Sequence, residues 1–103
     1  MPEEADKIEI ENFTSPGQTR RVDYAKYDAM RHALLSVLPA DLPGITVPEA
    51  KAALLQKLPQ TLFPGGAKSG WWLKAAQLDL EAKGIIKRAA TRPVRLFLST
   101  GIK

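Results

Sequence analysis

Apolar residues alternate with polar ones at the start of the chain and then shift to helical spacing. Ile8-Glu9-Ile10-Glu11-Asn12-Phe13 has the two-residue period of a half-buried strand. Ser15-Pro16-Gly17-Gln18 places Pro and Gly at the central positions of a type II turn. Thr19 to Val22 then pairs back as a second strand. Asp23 is an N-cap for a first helix over Tyr24 to Leu38, because its short carboxylate can take up a free backbone N–H. Tyr27, Met30, Leu34, Leu35 and Leu38 form that helix's apolar stripe, and Pro39 stops it. Ala40 to Ile45 reads as a connector.

Thr46-Val47-Pro48-Glu49 is a capping box with proline in the first turn. It opens a second helix to about Leu58, with Ala50, Ala53, Leu54 and Leu58 inward. Gln60 to Lys68 is a loop anchored by Leu62 and Phe63. A third helix, capped near Ser69, runs over Trp71 to Lys83. Leu73, Ala76 and Leu80 face inward with Trp72, while Lys74, Gln77 and Glu81 share the wet face at helical spacing. Gly84 suits the left-handed residue that ends a helix. Strands over Ile85 to Ala89 and Val94 to Leu98 close the chain as a hairpin, with Pro93 at the turn or strand edge. Residues 1–7 read as a frayed tail and 8–103 as one domain. The expected fold class is α+β and winged-helix-like: three helices, a C-terminal hairpin wing and an N-terminal hairpin.

Charge gives this order a direction. Residues 1–19 set Lys7 against Glu3, Glu4, Asp6, Glu9 and Glu11. Residues 68–103 set eight cations against Asp79 and Glu81. The basic end attracts phosphate and the acidic end repels it. Lys87, Arg88, Arg92 and Arg95 crowd the last hairpin, where they can reach phosphates or serve as edge-strand charges that block aggregation. Arg20 and Arg21 either extend the basic surface or pair with Glu9 and Glu11 across the first hairpin, and the pairing is expected because both acids sit on the facing strand.

Leu80-Glu81-Ala82-Lys83-Gly84-Ile85-Ile86-Lys87-Arg88 resembles the end of the recognition helix and the first wing strand of winged-helix regulators, including the multiple-antibiotic-resistance and metal-sensing repressor families. Leu98-Ser99-Thr100-Gly101 resembles the segment after their wing. The loop from Pro59 to Lys68 is longer than the usual helix-turn-helix turn, and the long terminal helices through which many such repressors dimerise are missing. A second resemblance spans most of the chain. Ser15 to Asp23, Phe63-Pro64-Gly65-Gly66-Ala67-Lys68-Ser69-Gly70-Trp71-Trp72, Gln77 to Gly84 and Arg92-Pro93-Val94-Arg95 look like a family of short bacterial proteins of unknown function. It implies a winged-helix-like domain and a bacterial source, with no activity to carry over.

The candidate nucleic-acid-binding residues are Lys68, Ser69, Trp71, Lys74, Gln77, Lys87, Arg88, Arg92 and Arg95. Backbone N–H groups at the start of the third helix suit a phosphate, aided by Lys68. Gly65-Gly66-Ala67-Lys68-Ser69-Gly70 is no P-loop, since lysine does not follow the second glycine and no strand leads in. Trp71 and Trp72 point about 100° apart, so Trp72 enters the core while Trp71 covers the loop, stacks on a base or meets a partner. Lys74 and Gln77 have the donors to read guanine and adenine edges, or simply remain solvated.

The sequence holds no Cys and a single histidine, His32, so neither a thiolate metal site nor a catalytic set is expected, and no cofactor. Asp79 and Glu81, two residues apart, point to different helix faces and make no acid–base pair. The N-terminus lacks an apolar segment of the secretory kind. A cytoplasmic protein that is not an enzyme is the expectation. Double-stranded DNA is the expected partner, a protein partner or self-association the alternative, and no membrane is involved.

Overall fold

The computed structural model describes residues 7–99. Residues 1–6 of the expected tail, with Glu3, Glu4 and Asp6, and the segment around Thr100–Gly101 lie outside the described residues, while Lys7, also expected in the tail, is the first residue of a strand. The chain folds as three helices with two small antiparallel sheets, one containing the C-terminal hairpin.

Strands β1 (Lys7–Glu11) and β2 (Thr19–Asp23) pair antiparallel. The amide of Gln18 donates to the carbonyl of Ser15 at 3.1 Å, and Gly17 takes a φ of 90° at the turn. Positive φ is available to Gly at little cost. The first helix, α1 (Tyr24–Val37), is capped by Asp23, whose carboxylate accepts from the amide of Lys26 at 2.9 Å.

The segment expected to be a connector ends in a strand. Gly44, in a turn closed by its amide on the carbonyl of Asp41, leads into β3 (Ile45–Thr46). This pair of residues joins the closing hairpin, so β3, β5 (Arg95–Leu98) and β4 (Ile86–Ala89) form one sheet in the order β3-β5-β4. A two-residue strand carries no period of its own, and its partner lies about fifty residues away.

Helix α2 (Val47–Leu54) opens on the full capping box. Thr46 accepts from the amide of Glu49, and Glu49 accepts from the amide of Thr46. Those backbone bonds hold the Glu49 carboxyl below its ordinary range. The regular helix is shorter than expected: a 3₁₀ turn takes over at Leu55–Lys57, and Ala53 is exposed. Helix α3 (Ser69–Ala82) ends as expected. Gly84 takes a φ of 75° and donates to the carbonyl of Glu81, while Ile85 donates to that of Leu80, the paired closure of a Schellman motif.

Met30 and Leu34 of α1, Leu54 of α2, Leu73 and Leu80 of α3, and Ile86 and Leu96 of the sheet are fully buried and pack together. Each such side chain contributes about 1.5–3 kcal/mol on leaving water. Phe63 is buried from the long loop and Trp72 meets it edge to face, with ring centroids 6.4 Å apart. Ile10 and Val22 of the N-terminal hairpin join this core, with β1 packed on α3 and α1 and β2 packed on α1.

Candidate nucleic-acid interface

One side of α3 is walled in by the N-terminal hairpin. The amide of Phe13 donates to the carbonyl of Leu78 at 3.2 Å, and that of Glu11 donates to Asp79 at 2.8 Å. Asp79 is fully buried. It also accepts from the hydroxyl of Tyr27 and pairs with Lys83 at 2.9 Å. A buried carboxylate is tolerated only when donors surround it, and these come from β1, α1 and Lys83, the residue that caps the end of α3. Burial, then the bond to Asp79, pushes the Tyr27 hydroxyl well above the ordinary phenol range.

A second buried acid corrects the expected wet face. Gln77 and Glu81 are only 5% exposed. The side-chain Nε2 of Gln77 donates to Glu81 at 2.8 Å, and Arg88 reaches back from β4 to grip the same carboxylate through Nε at 2.6 Å and Nη2 at 2.9 Å. Glu81 raises the pKa of Arg88 in return. Helical spacing alone groups Gln77 with Lys74, but the hairpin and Arg88 cover the later turns. Gln77 is therefore closed off from a base edge, and Arg88 is neutralised, its guanidinium lying 5.1 Å over the ring of Phe13. Asp79 and Glu81 do point apart, each into its own cluster.

Arg95 is also engaged. It donates to the carbonyl of Gly44 at 3.2 Å and lies 3.7 Å from Glu49. Lys87 and Arg92 remain exposed on the hairpin, with no ion pair among the described residues.

The open part of α3 is its beginning. Lys68 precedes the helix with a φ of 58°, and no side chain caps the first turn. Lys68 thus occupies the cap position expected of Ser69, and Ser69 itself is buried. Trp71 is 46% exposed, and its ring meets Trp72 edge to face at 5.0 Å. Lys74 lies one turn on, exposed.

Two residues that sequence reasoning did not assign join them. Nζ of Lys51, from α2, lies 3.4 Å from where a Cβ on Gly70 would stand. Arg20, expected to pair with the acids of β1, holds its guanidinium 5.6 Å over Trp71 instead. The register explains why. Arg20 lies opposite Ile10 and Val22 opposite Ile8, so these four share one sheet face, whereas Glu9, Glu11 and Arg21 share the other. Counting back two residues from Val22 would have revealed it. Arg21 lies opposite Glu9 in the register, but no ion pair joins them among the described residues.

Where hairpin and helix diverge, they leave a cleft of about 270 Å³ lined by Ile10, Arg20, Trp71, Lys74, Ala75 and Leu78 with the turn-side polar residues of the hairpin. Among the described residues no cluster of His, Asp and Glu is arranged to hold a metal, and no helix is long and apolar enough to cross a membrane. His32 sits exposed, 2.9 Å from the carbonyl of Asp28.

Fold and site together define a small α+β domain with two buried carboxylate clusters and a cationic, aromatic face at the start of its third helix. The chain belongs to a family of unknown function (DUF6958), whose model matches residues 7–96. No curated protein and no solved structure matches it.

Proposed function

We propose that this chain is a winged-helix protein that binds double-stranded DNA and serves as a small transcriptional regulator. Two features support the architecture: the element order α1-β3-α2-α3-β4-β5 and the sheet order β3-β5-β4. The hairpin that follows α3 is read as the wing on this basis. The observation that carries the binding reading is the gathering of Arg20, Lys51, Lys68 and Lys74 around the exposed Trp71.

Recognition helices touch base edges with their N-terminal residues. Here those are Gly70, Trp71 and Lys74, all exposed. Lys74 has the reach and charge for guanine O6 and N7. The free first-turn N–H groups and Lys68 suit a backbone phosphate, and Lys87 and Arg92 on the wing would hold the flanking strand. Gln77, Arg88 and Arg95 have no part in this contact, and Ser69 contributes at most its backbone.

Anisotropy of a labelled 20-base-pair duplex, titrated at two salt concentrations, tests the reading. Lys68→Ala should reduce the slope of log K against log salt by about 0.9, and Lys74→Ala, at the base edge, should cost about 1–3 kcal/mol and relax the sequence preference. No binding at low salt overturns it.

The exposure of Trp71 also favours a second reading, in which the same face docks a protein or a second copy of the chain. An exposed aromatic flanked by cations is a common interface anchor. A Trp71→Ala variant that stays folded and loses self-association or a captured partner, in a chain that ignores DNA, supports that reading.

A further inference from the structure

We propose that the cleft between the N-terminal hairpin and α3 is a small-molecule site for a ligand that joins a heteroaromatic ring to a phosphate monoester through a short linker, as a nucleoside monophosphate does through its ribose. The inference does not depend on DNA binding.

Arg20 is its main support. The register points it to the hairpin's inner face, alongside Ile8, Ile10 and Val22. Arg20 is exposed there, at the mouth of the cleft; among the described residues it has no ion pair, and its guanidinium lies over Trp71. Lys74, on the helix side of the cleft, is likewise without an acid. Two cations on opposite walls match the two negative charges of a phosphate monoester, and a guanidinium can bind it through two donors at once.

The remaining lining selects the rest of the ligand. Trp71, Ala75, Leu78 and Ile10 supply apolar and aromatic surface, which suits a flat ring. Asn12, Gln18 and Thr19 bring hydrogen-bonding groups along the hairpin side. The Asn12 carbonyl already accepts from the amide and hydroxyl of Thr14, which leaves its NH₂ to donate. Such groups favour a ring with nitrogen and oxygen atoms over a plain hydrocarbon. Glu11 is the one carboxylate in the lining, and the register sets it on the hairpin face away from Arg20. The volume of about 270 Å³ lies just under the usual range for ligand pockets, which limits the ligand to about the size of a single nucleotide.

Both walls belong to different elements, so a bound ligand would tie the hairpin to α3. It would also occupy Trp71 and Lys74, the residues proposed to face DNA, and the two ligands would compete.

Adenosine monophosphate, inorganic phosphate and adenosine are titrated separately into the full chain, followed by tryptophan fluorescence and by calorimetry. The nucleotide should bind at least tenfold more tightly than either fragment. Arg20→Ala and Lys74→Ala, checked for unchanged circular dichroism, should each weaken it about tenfold. Lack of nucleotide binding at millimolar concentration overturns the proposal. So does phosphate binding as tightly as the nucleotide, or affinity untouched in both variants. Duplex anisotropy on the same preparations separates the two readings: nucleotide binding without DNA binding removes only the regulator, and the reverse removes only this site.

Discussion

Arg88 and Glu81 meet in a two-point fork, seven residues apart in sequence and joined across the end of α3 and the first strand of the closing hairpin. The carboxylate is buried and the guanidinium half-covered. Removing one member leaves the other's charge stranded, which costs about 3–5 kcal/mol when the pair is fully buried. Arg88→Ala should therefore lower unfolding stability by about 3 kcal/mol. Arg92→Ala, at an exposed position, should stay within about 0.5 kcal/mol. Urea melts of the two variants check this, and equal losses would contradict it.

Asp79 should be the least replaceable polar residue. Its carboxylate serves the Tyr27 hydroxyl, Lys83 and the amide of Glu11. Asp79→Ala strands all three and should cost about 3–5 kcal/mol. Tyr27→Phe removes one bond and should cost about 1–2 kcal/mol. A double-mutant cycle between Tyr27→Phe and Asp79→Asn should show a non-additive interaction. Hydrogen exchange at the Glu11 amide should speed up in the Asp79 variants, because that bond docks the hairpin on α3.

Alkaline pH should weaken the fold through Tyr27. Its hydroxyl ionises in the unfolded chain near 10.0, while burial and Asp79 keep it protonated well above that in the folded protein. Above pH 10 the unfolded state alone releases this proton, so folding stability falls as pH rises. The stability difference between the wild type and Tyr27→Phe, measured by urea melts from pH 8 to 11, should be constant up to about 9 and then shift in favour of Phe. A difference that does not change over this range would refute the assignment.

Two glycines with positive φ should respond very differently to alanine. At Gly44, with φ 81°, a Cβ would run into the backbone carbonyl of Leu96, so Gly44→Ala should break the β3–β5 pairing and cost more than about 3 kcal/mol. At Gly17, with φ 90°, a Cβ meets nothing, and the loss should be about 1 kcal/mol, the conformational penalty alone. Thermal melts distinguish the two.

These contrasts also show what could be read in the chain and what could not. The Ser15–Gln18 turn, the Asp23 cap, the Thr46–Glu49 box and the Gly84 stop are signals contained within a few residues, and all four stand in the structure. The inward and outward partners of the tryptophan pair were legible because helical geometry forbids burying both. Contacts between distant segments were not. β3 exists only because β5 lies beside it, and Gln77 and Glu81 look like ordinary solvated helix positions until Arg88 and the first hairpin cover them. The site moved accordingly. Local charge density pointed to the closing hairpin, but Arg88 and Arg95 are held by acids and a carbonyl, which leaves the start of α3 as the better-exposed cationic face.

Lys68 adds one consequence. It is the only described residue other than glycine with a positive φ, and a side chain in that conformation costs about 1–2 kcal/mol. Glycine could fill the position without that strain. Lys68→Gly should therefore make the protein more heat-resistant while removing the cation proposed to meet phosphate, an inverse exchange of durability for the proposed binding at a single residue.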